Sequence, residues 1–302
     1  MPLGPTPELI ETTVFATLPE SLRVKSADPR RGDAKRNSLE GPSFDREGNL
    51  WCVDTRIGRL YRITPSGKWE VAVEYDGAPN GLKFHRDGRA FIADRRNGLV
   101  VFDPSRGKVE TLVGGPAPGE KFKGLNDLVF HGNGYVCFTD QGRTGLQDPT
   151  GRVFRYTTAG KLECLIGNVP SPNGLVFDRR EHALFVAVTR ANAVWRVATG
   201  DPTEQNRTGL FVQMPSAGPD GLALDMDGNL AVAHPTAGVI RLYNRYAELL
   251  ALVRTCAGRM TVNIAYGGED NRRLFITEAE TSSILVARMP KPGKPMFSHS
   301  QG

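Results

Sequence analysis

An internal repeat is the strongest constraint on how this chain can fold. Six stretches of the 302-residue sequence share a small turn, an alternation of apolar and polar residues, a polar turn and a second alternation. Each copy is followed by further short apolar runs, so one copy holds about four strands, as a propeller blade does. The second residues of the copies, which we call the anchors, recur at intervals of 40, 46, 47, 47 and 43 residues. The anchors are Glu40, Asn80, Asn126, Asn173, Asp220 and Asn263.

The repeat predicts an all-β fold, a six-bladed β-propeller with four antiparallel strands in each blade. We expect one domain over residues 1–302, with blades that start near residues 40, 80, 126, 173, 220 and 263. Two β-sandwiches are the alternative, but they would not need six equal copies. A strand near residues 12–18 is expected to close the last blade, because closure removes free sheet edges. The Lys-, Pro- and Ser-rich stretch beyond about residue 290 is expected to fray.

The composition narrows the class of protein. No run of about 18 apolar residues is present, which argues against a transmembrane helix, and the N-terminal stretch lacks the pattern of a secretory signal. The formal net charge of +5 is small for this length, so nucleic acid is not an expected partner. Four cysteines without CxxC spacing favour unpaired thiols in a reducing compartment. We therefore expect a cytoplasmic protein without membrane or nucleic-acid partners, as a monomer or homodimer.

The anchors are expected to form a ring at one mouth of the central channel, since the first strand of each blade lines that channel. All six side chains offer oxygen, and two of them, Glu40 and Asp220, are carboxylates that repel each other unless a cation lies between them. Such donors suit hard divalent cations. The ring predicts one cation, calcium first, with magnesium, manganese, zinc and iron as alternatives. The competing interpretation treats Asn-Gly and Asp-Gly as turn signals, but Glu40 has no comparable turn preference.

A second ring follows from strand geometry, because the second strand of each blade returns to the same mouth. Asp54, Asp94, Asp140 and His234 lie 14 residues after their anchors. We predict that Asp54 and Asp94 contact the substrate, together with Asn80 and Asn126 of the first ring. His234 replaces an acid, and because an unperturbed imidazole titrates near neutral pH, we predict a role in proton transfer. The alternative is that these acids only cap turns. The basic segment 28–37 is either a lid over the mouth or a solvated loop.

The motifs taken together resemble those of the SMP-30/gluconolactonase/LRE family. They are LEGPSFD, LNDLVF with FTD after it, PNGLVF and GPDGLALD, and the resemblance covers about residues 12–290. The third blade also resembles the drug-responsive lactonases of that family. The resemblance implies a six-bladed propeller with one divalent cation near its axis and, in many members, lactone hydrolysis.

The resemblance also implies roles for particular residues. Glu40, Asn173 and Asp220 match the metal ligands, and Asn126 matches a position that binds either the metal or the substrate. Asp127 corresponds to an acidic ligand in some relatives. Several sugar lactonases have an arginine where this chain has Gly124, which argues against a preference for aldonolactones.

These observations predict a metal-dependent hydrolase that opens a lactone. The cation would polarise the carbonyl, and Asp220 would act as general base on a water. The substrate would be a small-molecule lactone. Two alternatives remain: a phosphotriesterase-like hydrolase on the same site, and a non-enzymatic propeller that binds a ligand.

Overall fold

The computed structural model describes residues 6–24, 37–199 and 207–300, and over these ranges it is a six-bladed β-propeller. Two strands precede the blades, and the following strands build the blades in chain order. The first two are β1 (Glu8–Glu11) and β2 (Thr13–Thr17). Blade one has β3 (Leu39–Phe44), β4 (Leu50–Asp54), β5 (Arg59–Ile63) and β6 (Trp69–Glu74). Blade two has β7 (Pro79–Phe84), β8 (Ala90–Asp94), β9 (Gly98–Asp103) and β10 (Lys108–Val113). Blade three has β11 (Leu125–Phe130), β12 (Val136–Asp140), β13 (Gly151–Tyr156) and β14 (Leu162–Val169).

The second half of the ring continues the same order. Blade four has β15 (Pro172–Phe177), β16 (Ala183–Val188), β17 (Ala193–Ala198) and β18 (Thr208–Gln213). Blade five has β19 (Leu222–Leu224), β20 (Leu230–His234), β21 (Val239–Tyr243) and β22 (Leu249–Arg254). Blade six has β23 (Thr261–Gly267), β24 (Arg273–Glu278) and β25 (Ser283–Arg288). None of the helices in the described ranges is both long enough and apolar enough to cross a lipid bilayer.

The core lies between blades, and strand alternation explains why. Successive side chains of a strand point to opposite faces, and in the inner strands both faces are covered by a neighbouring blade. In β4, Leu50 and Cys52 pack towards blade six, whereas Trp51 and Val53 pack towards blade two. Six apolar clusters fill the six interfaces between neighbouring blades. The packing is therefore continuous around the ring.

The N-terminal strands join the end of the ring. Strand β2 pairs antiparallel with β25 and forms the outer strand of blade six. Strand β1 pairs in parallel with β22, so blade five has five strands instead of the four expected. This fifth strand covers the outer edge of blade five.

The C-terminal residues pack against the propeller up to residue 300, so the expectation that they fray is wrong. Residues 290–300, which we call the C-terminal clasp, cross the mouth of the channel opposite the anchors. The clasp contacts all six blades through its backbone and its side chains. These contacts involve Arg46, Arg86, Phe130, Glu181, Leu224 and Asn271 in blades one to six, respectively. Beneath the clasp lies a largely apolar cavity of about 280 Å³.

Candidate active site

A polar cavity of about 660 Å³ opens at the mouth where the first strand of each blade begins. Five of the six anchors line it; four of them are buried, and the fifth, Asp220, is half-buried. They are Glu40, Asn80, Asn126, Asn173 and Asp220. The sixth, Asn263, does not line the cavity; its amide donates to Asp127 Oδ2 at 3.3 Å. The structure thus brings together all the residues predicted as metal ligands.

The glycine after an anchor is required by the close approach of neighbouring inner strands. A Cβ on Gly174 would lie 2.4 Å from the carbonyl oxygen of Asp220. A Cβ on Gly81 would lie 2.5 Å from Oδ1 of Asp127, which replaces the glycine in blade three. Both glycines lie within inner strands. The Asn-Gly pairs here therefore reflect strand packing around the axis, not tight turns.

Three carboxylates, those of Glu40, Asp127 and Asp220, interact around this axis. Burial raises the pKa of Glu40, and the charge of Asp127 raises it further. Burial also raises the pKa of Asp220, with added repulsion from Glu40 and Asp127. Asp127 lies outside the cavity lining and accepts the Leu128 amide at 2.8 Å. The carboxylates are costly to ionise together without a positive charge between them.

The donor set fits a hard divalent cation. Oδ1 of Asn173 is buried and has no hydrogen-bond partner within the described part of the chain. Its Nδ2 donates to Thr189 Oγ1 at 3.1 Å, which fixes the amide orientation. Within the described ranges no group of three or more His, Cys, Asp or Glu side chains has the arrangement of a metal site. A site here therefore depends on carboxamide oxygens as well as on Glu40 and Asp220, as hard cations allow.

A chain of amide hydrogen bonds orients the other side of the cavity. Asn80 Nδ2 donates to Asn126 Oδ1 at 3.2 Å, and Asn126 Nδ2 donates to Gln141 Oε1 at 2.9 Å. Gln141 Nε2 in turn donates to Ser171 Oγ at 3.1 Å. Gln141 lines the cavity, although it is not one of the predicted site residues. Its position directly after Asp140, at the end of β12, was the available signal.

Asp54 and Asp94 do not face the cavity, and this corrects the expectation for their side chains. Both are fully buried and are absent from the described cavity lining. Asp54 Oδ1 accepts the amides of Ser38 and Arg56 at 3.3 and 3.0 Å. Asp94 accepts the amides of Ala78 and Arg96 at 2.9 and 2.8 Å. Each aspartate thus ties the turn after its strand to the loop before its blade.

Like the two aspartates, His234 is buried away from the cavity, which corrects the expectation that it faces a substrate. It is 1% exposed and does not line the cavity in the described structure. Its Nδ1 accepts Arg241 Nε at 3.1 Å, and its Nε2 contacts the Ser216 carbonyl oxygen. Nε2 therefore carries the proton, and burial lowers the pKa of this imidazole. Nε2 therefore holds the loop before β19, whereas Nδ1 is engaged by Arg241 of β21.

Three arginines that the sequence analysis missed also line the cavity. Arg56 follows β4, and Arg95 and Arg96 follow β8. They lie one or two residues beyond Asp54 and Asp94, in turns that project over the mouth. Segment 28–37, expected to be either a lid or a solvated loop, lies outside the described residues except for Asn37.

Comparison with known proteins agrees with this architecture. The model of the SMP-30/Gluconolactonase/LRE-like region matches residues 39–280. Diisopropyl-fluorophosphatase of Loligo vulgaris is 26% identical over 288 residues, which cover 85% of this chain and 91% of that protein. Lactonase drp35 of Staphylococcus aureus (strain MRSA252) is 28% identical over 244 residues, covering 74% of this chain and 72% of that protein.

Solved structures share the fold. Regucalcin of Agrobacterium tumefaciens, described as a calcium-binding protein, superposes with a TM-score of 0.78 at 21% identity. The match covers 98% of this chain and 100% of regucalcin. A gluconolactonase of Xanthomonas campestris has a TM-score of 0.75 at 21% identity, covering 96% of this chain and 99% of that one. Because the family model spans most of the repeat, the chain belongs to the SMP-30/gluconolactonase/LRE-like family.

Proposed function

We propose that this protein is a divalent-metal-dependent lactonase that acts in the anchor cavity. The observation that carries the proposal is the buried Oδ1 of Asn173, which has no hydrogen-bond partner among the described residues and lines the same cavity as the carboxylates of Glu40 and Asp220. Relatives named lactonase and gluconolactonase support the reaction class. Calcium is the first candidate, because the donors are all oxygen and a structural neighbour is described as calcium-binding.

Each cavity residue has a proposed part in the reaction. Glu40, Asn173, Asp220 and Asn126 would hold the cation, which supplies a Lewis acid for the ester carbonyl when bound. Asp220 accepts a proton from the attacking water, whose oxygen bonds to the acyl carbon. The bond from the acyl carbon to the ring oxygen breaks, and that oxygen takes up the proton. Asn80 orients Asn126 through their hydrogen bond and contacts the bound lactone.

The test is a pH-indicator hydrolysis assay on a lactone panel. Aldonolactones, aliphatic γ- and δ-lactones and dihydrocoumarin are each assayed after EDTA treatment and after addition of single divalent metals. We expect EDTA to abolish turnover and one metal, calcium first, to restore it. Failure of every lactone with every metal would overturn the proposal.

Asp220→Asn tests the general base. We expect kcat to fall about a hundredfold or more, as when proton transfer is lost, with the fold retained. The calcium-induced rise in Tm separates loss of the base from loss of the metal. Asp227→Asn, an exposed aspartate of the same blade that pairs with Lys291, is the matched control and should keep wild-type turnover. A fully active Asp220→Asn variant would exclude Asp220 as the base.

A second candidate function is phosphotriester hydrolysis in the same cavity. The match to diisopropyl-fluorophosphatase covers more of this chain than the match to drp35, and this favours including organophosphates in the panel. Metal-restored turnover of an organophosphate without turnover of any lactone would favour this alternative.

A further inference from the structure

Three guanidinium groups stand on one side of the anchor cavity. Arg56 comes from the turn after β4, and Arg95 and Arg96 come from the turn after β8, so blades one and two supply all three. Blade three, the next blade in the ring, contributes the neutral amides of Asn126 and Gln141. The cavity is therefore polarised, with its positive charge gathered at one wall.

The backbone that carries these arginines is held in place. The Arg56 amide donates to Asp54 at 3.0 Å, and the Arg96 amide donates to Asp94 at 2.8 Å. The Arg95 amide donates to the Ala78 carbonyl oxygen at 2.9 Å. Because Asp54 and Asp94 are fully buried, both turns are fixed from below. The guanidinium groups thus extend from preorganised positions, which lowers the entropic cost of binding a ligand.

The charges on this wall are only partly balanced. Arg96 pairs with Asp76. No carboxylate among the described residues forms an ion pair with Arg56 or Arg95. Glu40 interacts electrostatically with Arg95, but Glu40 and Asp220 face the proposed divalent cation, whose charge offsets theirs. With the cation bound, the charges of the side chains that line the cavity sum to a positive value.

Resting on the lactonase function proposed above, we propose that the substrate is a lactone carrying a carboxylate, which Arg95 binds with help from Arg56. Guanidinium groups match carboxylates with two parallel hydrogen bonds. Binding the carboxylate at the arginine wall would turn the ester towards the anchors. Hydrolysis adds one water across the ester, so the product is a hydroxy-dicarboxylate. The reaction class that supplies the substrate must therefore form a lactone ring while leaving a second carboxylate free.

The first experiment compares two lactones that differ at one ring carbon. γ-Butyrolactone with a γ-carboxylate is compared with γ-valerolactone, which has a methyl group at that carbon, using each enantiomer and saturating metal. We expect kcat/KM to favour the carboxylate by about tenfold or more at low salt, as for hydrogen bonds to a charged group. The preference should shrink as salt is added, since these arginines are exposed.

Arg95→Gln should remove most of this preference, chiefly through a higher KM for the carboxylate. Arg190→Gln is the matched control, because Arg190 is exposed in the equivalent turn of blade four but is absent from the described cavity lining. Its preference should equal that of the wild type. Equal kcat/KM for the two lactones, or an unchanged preference in Arg95→Gln, would overturn the inference and leave the lactonase proposal standing.

A binding measurement separates the two proposals. Pyroglutamate and γ-valerolactam are lactam counterparts of the two lactones and resist hydrolysis. If no lactone is turned over, calorimetry with the lactams still tests the arginine wall. Tighter binding of pyroglutamate that is lost in Arg95→Gln would support the carboxylate site and reject the lactonase. Absence of any Arg95-dependent pyroglutamate binding, together with absence of turnover, would reject both.

Discussion

At the scale of single residues, three carboxylates near the axis combine burial with negative charge, and these two properties usually conflict. Glu40 and Asp127 are buried and Asp220 is half-buried close to them, although burial and mutual repulsion both disfavour the charged forms of these groups. A protein gains nothing in stability from such a cluster alone. A bound cation would offset this cost, as the proposed metal site requires.

The metal-free protein should therefore lose stability as pH rises. The pKa of Glu40 is raised from 4.5 to about 8, mainly by burial and then by Asp127. Between these values the folded state holds a proton that the unfolded state has released, so the free energy of unfolding falls with rising pH. The penalty is absent below the unfolded pKa and complete above the folded one. A bound cation removes it by stabilising the carboxylate.

Urea unfolding at about pH 6 and about pH 8.5 measures this effect. With EDTA, the wild type should be less stable at the higher pH, and calcium should reduce the difference. Glu40→Gln should show a smaller difference with EDTA, because the amide does not titrate. Equal pH dependence in wild type and Glu40→Gln would contradict the assignment of the effect to Glu40.

The sequence predicts the anchors better than the residues around them. Repetition identifies Glu40 and Asn173, because equivalent positions must meet at the axis. Spacing alone places Asp54 and His234 near the mouth but leaves the direction of their side chains undefined. Their partners, such as Ser38 and Ser216, come from loops outside the repeated pattern. Arg95 was missed for the same reason, since it lies in a turn.

At the scale of elements, the strands follow from local alternation, but their long-range pairing does not. Strand β1 is four residues long and pairs in parallel with β22, and a parallel partner has no short-range signal. The clasp shows the opposite failure of sequence reasoning. Its Lys- and Pro-rich composition indicates fraying, whereas contacts from distant turns hold it in place.

The pairing of β2 predicts a sharp difference between two positions of one strand. Ala16 is 8% exposed and packs between blades six and one, whereas Val14 is 48% exposed. Ala16→Glu would bury a charge without a partner and should lower the free energy of unfolding by about 3 kcal/mol. Val14→Glu should change it by less than about 0.5 kcal/mol. Urea denaturation monitored by tryptophan fluorescence measures both, and equal effects would argue against β2 as the closing strand.

At the scale of the whole molecule, the clasp links every blade at the mouth opposite the anchors. Phe297 stacks on Phe130 with ring centroids 4.9 Å apart. Cζ of Arg86 lies 4.2 Å from the centroid of the Phe297 ring. Because the propeller is a ring of similar interfaces, a segment that contacts all six blades restrains their relative movement.

Phe297→Ala should therefore destabilise the whole propeller. We expect a loss of about 2 kcal/mol in the free energy of unfolding, below the cost for a fully buried phenylalanine because Phe297 is half-buried. Pro295→Ala, at an exposed position of the clasp, is the control and should change stability little. Scanning calorimetry measures both variants. A wild-type Tm for Phe297→Ala would show that the clasp does not stabilise the ring.

Closure by β2 has a consequence for how the protein is made. Thr17 hydrogen-bonds to Ser283, which is 266 residues away in the chain. During synthesis β2 therefore leaves the ribosome roughly ten to fifty seconds before its partner strand, β25, exists. Throughout that interval an unpaired strand edge is open to other nascent chains. The yield of native protein should therefore depend on translation speed and on chaperones that cover such edges.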